Sequence, residues 1–228
     1  MNESGWLGPA LGWALAGLLA SLPLRSTLGG APYRYDDEGH LPVRRTGWLI
    51  PTVPLAAFGL ATRWWPALPT APAVVVTAAY CATLPLLAAL AAIDLDVHRL
   101  PDRLTRTLAV GCAVASLLSS AATGQWSALG RALLAGAVLG TAYLLVMWGS
   151  PGRAGIGYGD VKLAPSLGIL TGWVSWSAVA TGTLLAFLAG GLWAAYLMLT
   201  GRARGTDRFA FGPCMILGAL AAILLDGR

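Results

Sequence analysis

The stretch LAPSLGILTGWVSWSAVATGTLLAFLAGGLWAAYLMLTG, residues 163–201, decides the fold class because its 39 residues include no charged side chain. A bilayer core of about 30 Å is crossed by roughly 20 helical residues, since each residue adds about 1.5 Å. This stretch is therefore long enough to cross a membrane twice. We predict two helices here, with a turn near residues 172–176.

The rest of the chain has the same apolar character. Hydrophobic residues make up 57% of it and charged residues 11%, and the mean hydropathy is +0.68. This composition leaves too little polar surface to cover a soluble core, so we expect an all-α polytopic membrane protein. The other long uncharged runs are residues 4–24, 46–62, 64–93, 107–130, 132–152 and 209–225.

Each of these six runs is predicted to cross once, which gives about eight transmembrane helices in all. The first run is interpreted as a retained helix, because it lacks a basic leader segment and a small-residue cleavage site. In the run 64–93, Trp64, Trp65 and the prolines that follow suit an interfacial belt and a turn. Its span is therefore expected to start near Ala73.

The fifteen Lys and Arg residues divide unevenly between alternate connections, with twelve on one side and only Arg63, Arg131 and Arg228 on the other. The positive-inside rule places the richer side in the cytoplasm and both chain ends outside. We therefore expect a multi-pass protein of the plasma (inner) membrane, with the lipid bilayer as its surroundings. The net charge of +5 is explained by these flanking cations, and nucleic acid is not an expected partner.

Cysteine and histidine give no sign of a metal site. Cys81, Cys112 and Cys214 lie far apart in predicted spans, and His40 and His98 are isolated. This spacing predicts neither a disulfide framework nor a zinc site. We expect no metal and no cofactor.

Two acidic residues are the strongest candidates for chemistry, because ionisable groups near a membrane are costly and tend to mark function. Asp94 ends the third predicted helix and Asp160 precedes the sixth, with two complete crossings between them. Both carboxyl groups therefore return to the cytoplasmic face. Two carboxylates in contact repel, so such a pair can share one proton, a state that suits peptide hydrolysis.

The segment GRAGIGYGD, residues 152–160, carries four glycines directly before the second aspartate. Glycine allows the backbone to approach another chain closely, which helps an extended peptide reach a carboxylate. The same residues also fit an ordinary loop followed by an acidic residue in the first turn of a helix. The acidic residues 36–38 are interpreted as part of a solvated loop.

Three segments together resemble the bacterial type IV prepilin peptidase family: AIDLDVHRLPDRLT at residues 92–105, GYGDVKL at 157–163 and FGP at 211–213. The resemblance runs from about residue 73 to the last residue. It implies that Asp94 and Asp160 are the catalytic aspartates of a GxGD aspartyl peptidase. It also implies a prepilin or pseudopilin as substrate, cut after its basic leader at the cytoplasmic face.

The resemblance divides the chain into an N-terminal two-helix membrane region, residues 1–72, and a catalytic membrane domain, residues 73–228. Family members usually carry two CxxC pairs in a cytoplasmic domain between the first two helices, and they often also methylate the product. No cysteine precedes Cys81, so the sequence does not support the methyltransferase activity or a zinc site there.

The remaining motif residues have several interpretations. Asp96 is expected either to pair with Arg99 or to take part in catalysis, and Asp102 either to start a helix beside Pro101 or to bind the basic leader. Lys162 is interpreted as a membrane anchor that could also act on nearby carboxylates. Catalytic support or leader binding therefore remains open for Asp96, Asp102, Gly157, Gly159 and Lys162.

Two other functions fit part of the pattern. One is another GxGD intramembrane aspartyl protease, but Ile93 stands where a tyrosine would be expected before the first aspartate. The other is a proton-coupled transporter, which would more often place its acidic residues near mid-membrane, at broken helices or repeat interfaces. Here the acidic residues lie at the predicted helix ends, which favours the peptidase.

Overall fold

The computed structural model describes residues 5–35, 38, 46–149, 157–201 and 210–226. All regular structure within these residues is helical, which confirms the predicted fold class. The helices are α1 (Leu7–Gly29), α2 (Leu49–Trp64), α3 (Thr70–Cys81), α4 (Leu84–Val97), α5 (Asp102–Thr123), α6 (Trp126–Gly149), α7 (Tyr158–Val174), α8 (Trp176–Leu199) and α9 (Gly212–Leu225).

Five of the described spans are long and apolar enough to cross a membrane: α1, the α3–α4 rod over residues 70–97, α5, α6 and α8. The chain is therefore a polytopic membrane protein, as predicted. Helices α2, α7 and α9 are shorter, at 16, 17 and 14 residues. The total of eight crossings stays a prediction.

The third predicted span begins earlier than expected. Helix α3 starts at Thr70 rather than near Ala73, because Pro72 lies in the first turn, where a backbone N–H has no helical partner to lose. Trp64 also differs from its expected place in an interfacial belt. Its side chain is buried, and its ring centroid lies 4.5 Å from that of Tyr80.

The predicted turn within the 39-residue stretch is confirmed at Ser175, which lies between α7 and α8. Its backbone is extended, and its Oγ accepts a hydrogen bond of 2.9 Å from the Ala178 N–H, so it caps α8. On the other side of the turn, the Arg131 guanidinium donates to the carbonyl oxygens of Gly172, Trp173 and Val174 at 2.7–3.1 Å. These bonds satisfy the last carbonyls of α7.

Small residues set the close packing around α7 and α9. A Cβ at Gly168 would lie 2.7 Å from the Ala135 carbonyl oxygen, and a Cβ at Gly218 would lie 2.5 Å from the Gly182 carbonyl oxygen. These glycines let α6 approach α7 and let α8 approach α9, as small residues do between membrane helices. Helix α9 also contacts α4 and α7. The ends of α4, α7 and α9 consequently meet in one place.

Candidate active site

Asp94 lies in the last turn of α4, and its side chain is buried among packed helices. Its Oδ2 accepts a hydrogen bond of 2.9 Å from the backbone N–H of Gly212, the first residue of α9. A helix N-terminus presents unpaired N–H groups and partial positive charge, which favour a carboxylate. A Cβ at position 212 would lie 2.8 Å from this same oxygen, so glycine is required for the contact.

Asp160 is the third residue of α7 and is also buried. Its Oδ2 accepts a hydrogen bond of 3.1 Å from the backbone N–H of Gly157, the residue that precedes the helix. This return contact is one half of a capping box; glycine offers no side chain for the other half. Of the glycine-rich stretch, residues 152–156 lie outside the described residues.

The two aspartates come together beside the first turn of α9. The negative charge of Asp94 acts on the carboxyl group of Asp160, and both charges act on the thiol of Cys214. Each carboxyl group is held through its Oδ2 alone; within the described residues, no protein donor reaches either Oδ1. Each aspartate therefore keeps one oxygen for a water molecule or a substrate.

Glycines 157 and 159 fit the site for steric reasons. A Cβ at Gly159 would lie 3.2 Å from the Leu100 side chain, and a Cβ at Gly157 would lie 3.3 Å from Asp160 Oδ2. The GxGD segment can thus lie directly against the segment that follows Asp94. This contact joins the two motifs where the start of α7 packs against the connection between α4 and α5.

Asp102 and Lys162 form a second link between the two motifs. Helix α5 begins at Asp102, as predicted from Pro101, and its carboxylate forms an ion pair with the Lys162 ammonium group. Arg106 lies farther away, at 3.8 Å from the same carboxylate, and Lys162 Nζ lies 4.1 Å from the centroid of the Tyr158 ring. Lys162 therefore ties α7 to α5, which differs from its expected role as a membrane anchor.

Asp96 is paired with a residue that the sequence did not single out. The Arg34 guanidinium donates to both carboxylate oxygens, at 2.7 and 2.8 Å, and Tyr33 Oη donates at 2.9 Å. The expected pairing with Arg99 is wrong, because α4 ends at Val97 and His98 adopts a left-handed backbone with φ 51°. The helical i, i+3 geometry that would have joined Asp96 to Arg99 is lost there.

Arg99 pairs instead with Glu38, at 2.7 Å. The acidic run 36–38 is therefore not simply a solvated loop, since Glu38 is partly buried in this contact. Residues 36 and 37 lie outside the described residues. Sequence reasoning missed Tyr33, Arg34 and Glu38, because an arginine and an acid in a short polar connection look like ordinary surface residues.

Metal ligands are not clustered in the described part of the chain. There, no group of three or more His, Cys, Asp or Glu side chains is placed to hold an ion.

Comparison with known proteins gives consistent matches over the region that holds both aspartates. A model of the type IV leader peptidase family matches residues 81–195. The chain is 34% identical over 145 residues to a "Prepilin leader peptidase/N-methyltransferase" of Aeromonas salmonicida, covering 60% of this chain and 46% of the relative. A Burkholderia pseudomallei protein of the same name is 32% identical over 143 residues, covering 60% and 43%.

A third relative, the "Type 4 prepilin-like proteins leader peptide-processing enzyme" of Escherichia coli, is 32% identical over 182 residues, covering 78% of this chain and 61% of the relative. The chain spans about half the length of the first relatives it matches. No solved structure gives a significant match. Since the family match covers half of the chain and includes both motifs, the protein belongs to the type IV leader peptidase family.

Proposed function

We propose that this protein is a prepilin leader peptidase, an aspartic endopeptidase that cuts after the basic leader of a prepilin or pseudopilin. The observation that carries the proposal is that Asp94 and Asp160, two buried carboxyl groups from helices distant in sequence, lie beside the same first turn of α9, close enough for the charge of Asp94 to act on Asp160. Family membership and the printed names of the relatives support the choice of substrate.

The chemistry follows from one proton shared between the two carboxyl groups. Two negative charges in a buried site repel, so one group stays protonated while the other is ionised. The ionised aspartate takes a proton from water as the water attacks the scissile carbonyl. The protonated aspartate donates its proton to the carbonyl oxygen. As the C–N bond breaks, the initially ionised aspartate passes the proton taken from water to the leaving amine, and the initially protonated one takes a proton back from the gem-diol hydroxyl.

The unbonded Oδ1 atoms are the groups that would face the water and the scissile peptide. Their Oδ2 partners remain bonded to the N–H groups of Gly212 and Gly157, which keep the carboxyl planes in place. Preorganised groups of this kind accelerate a reaction because little reorientation is needed in the transition state. Leader binding by Asp102 would require a basic residue of the substrate to compete with Lys162.

We also propose that the site faces the cytoplasm from the inner membrane, and that both chain ends lie outside. The support is the distribution of twelve Lys and Arg residues against three, with the richer set on the side of Asp94 and Asp160. The catalytic unit in this proposal is residues 73–228, and residues 1–72 form an N-terminal membrane region. Methyl transfer is not part of the proposal, because CxxC pairs are absent from these 228 residues.

The proposal is tested by replacing each aspartate with asparagine and co-expressing the variant with a prepilin. Asp94→Asn and Asp160→Asn should each abolish trimming while the protein still accumulates in the membrane, since asparagine cannot exchange the proton. Asp226→Asn is a matched control, because Asp226 lies beyond the far end of α9 and accepts hydrogen bonds from Ser175 and Ser177. Full trimming by either active-site variant would contradict the two-aspartate mechanism.

A further inference from the structure

The connection between α1 and α2 contacts the first motif through four side chains, Tyr33, Arg34, Tyr35 and Glu38, which we call the latch. Its central contact is the ion pair of Arg34 with Asp96, in which both carboxylate oxygens accept hydrogen bonds. The exposed fractions of these two side chains are only 7% and 2%. A buried bidentate pair of this kind fixes the orientation of both side chains, because removing either partner leaves the other charge buried and unpaired.

Tyr33 strengthens the same contact. Its hydroxyl donates to Asp96 Oδ2 at 2.9 Å. Burial, together with this hydrogen bond to Asp96, raises the pKa of Tyr33 to about 12. The phenol therefore remains a hydrogen-bond donor throughout the neutral range, so Asp96 keeps three hydrogen bonds from two adjacent latch residues.

A second set of contacts joins the latch to Arg99, three residues farther along the chain. The Arg99 guanidinium pairs with Glu38 at 2.7 Å, donates to the Tyr33 carbonyl oxygen at 3.2 Å and lies 3.6 Å from the centroid of the Tyr35 ring. The latch and the motif therefore form two ion pairs of opposite polarity. Its arginine meets an acid of the motif, and its acid meets an arginine of the motif.

Between these two anchored residues lies the strained turn that ends α4. His98 has φ 51° and ψ 42°, a left-handed conformation that is unfavourable for a residue with a Cβ. Its N–H donates to the Asp94 carbonyl oxygen at 2.9 Å. The turn is thus bonded directly to the backbone of the first aspartate, and the latch holds it from both sides.

The far end of the turn reaches the second aspartate. Leu100 follows Arg99 and packs against Gly159, where a Cβ would lie 3.2 Å from the leucine side chain. Gly159 directly precedes Asp160. Two short paths therefore lead from the latch, one through Asp96 to Asp94 and one through Arg99 and Leu100 to Asp160.

We propose that the latch positions the two aspartates relative to each other, and that Arg34 is a positioning residue for the peptidase reaction. This inference rests on the proposed function. Arg34 acts through Asp96 and the turn at residues 97–100. Loss of the latch should therefore lower kcat more than it raises KM, because misplacement of reacting groups by about 1 Å can cost 100-fold in rate.

The kinetic test uses the full chain in lipid nanodiscs with a purified prepilin. Arg34→Gln should lower kcat by about 100-fold while KM changes by no more than about threefold, and Arg34→Lys should recover part of the loss because it keeps the charge without the bidentate geometry. Arg25→Gln is the matched control, since Arg25 is an exposed arginine of α1. An unchanged kcat in Arg34→Gln, or an equal loss in Arg25→Gln, would overturn the proposal.

A second measurement, hydrogen exchange of the backbone amides, does not depend on activity. Arg34→Gln should speed exchange at residues 97–100 and at the start of α7, while exchange in α6 and α8 stays as in the unmodified protein. The double variant Arg34→Gln with Asp96→Asn removes both buried charges, so it leaves no unpaired buried charge that could cause misfolding. It should be no slower in catalysis than Arg34→Gln alone, because the two residues act as one unit.

The outcomes separate the two proposals. If the unmodified protein does not cleave prepilin, the proposed function fails, and faster exchange in Arg34→Gln still supports a latch that holds the turn. If the protein cleaves prepilin but exchange at residues 97–100 is the same in Arg34→Gln and Arg25→Gln, the latch is overturned and the proposed function stands.

Discussion

At the scale of single residues, the site depends on glycines whose missing Cβ atoms allow close contacts, as well as on the two aspartates. Gly212 brings its N–H to Asp94 because it has no Cβ, and Gly159 accepts Leu100 for the same reason. The two aspartates were predicted from sequence because acids at helix ends stand out in an apolar chain. Arg34 was not, since nothing local indicates that it binds a carboxylate 62 residues away.

Replacement of Gly212 by alanine tests this dependence. The added Cβ would lie 2.8 Å from Asp94 Oδ2, so either the carboxylate or the start of α9 has to move. We expect prepilin cleavage to fall by about 10- to 100-fold, because small displacements of reacting groups cause rate losses of this size. Gly191→Ala is the control, because a Cβ at Gly191 in α8 meets nothing within 4 Å. Equal cleavage by the two variants would show that the close contact is dispensable.

At the scale of helices, the starts of α5 and α7 are joined by one ion pair between Asp102 and Lys162. The apolar runs predicted the positions of these two helices in the sequence, and Pro101 predicted the start of α5. The ion pair was not predicted, because hydropathy shows where helices lie along the chain but not which side of each helix faces its neighbour. Asp102 is about half exposed, so the pair itself contributes little to folding stability.

An exchange of the two charges distinguishes a pairing role of Asp102 from a direct role in binding the leader. Asp102→Lys alone places two cations together and should lower cleavage by about tenfold, through repulsion at the helix starts. Adding Lys162→Asp should restore most of the activity if the two residues serve mainly to hold α5 against α7. Prepilin cleavage at fixed enzyme concentration is the measurement. Failure of the double variant to recover, with the protein still folded, would instead favour contact between Asp102 and the substrate.

At the scale of the whole molecule, uncharged runs predicted the polytopic helical fold because a bilayer requires long apolar helices. Counting crossings also placed Asp94 and Asp160 at the same end of the bundle, where the structure brings them together. Two details escaped this reasoning. Pro72 is accommodated in the first turn of α3, and the connection after α1 folds back onto α4.

The orientation of the bundle is tested with alkaline phosphatase, which is active only outside the cytoplasm. A fusion after Arg228 should be active, and a fusion after His98, in the connection between α4 and α5, should be inactive, because the arginine-rich side stays in the cytoplasm. Immunoblots of the two fusion proteins report their expression and serve as the control. The reverse activities would contradict a cytoplasmic site.

The bond between Gly212 and Asp94 also bears on how the protein is made. The two residues are 118 positions apart, and α9 is the last described helix to leave the ribosome. A nascent chain that has inserted α1 to α8 already contains both aspartates, yet Asp94 lacks the N–H that holds it. Under the proposed function, we therefore expect peptidase activity only after α9 docks, and a chain stalled before that step should be inactive.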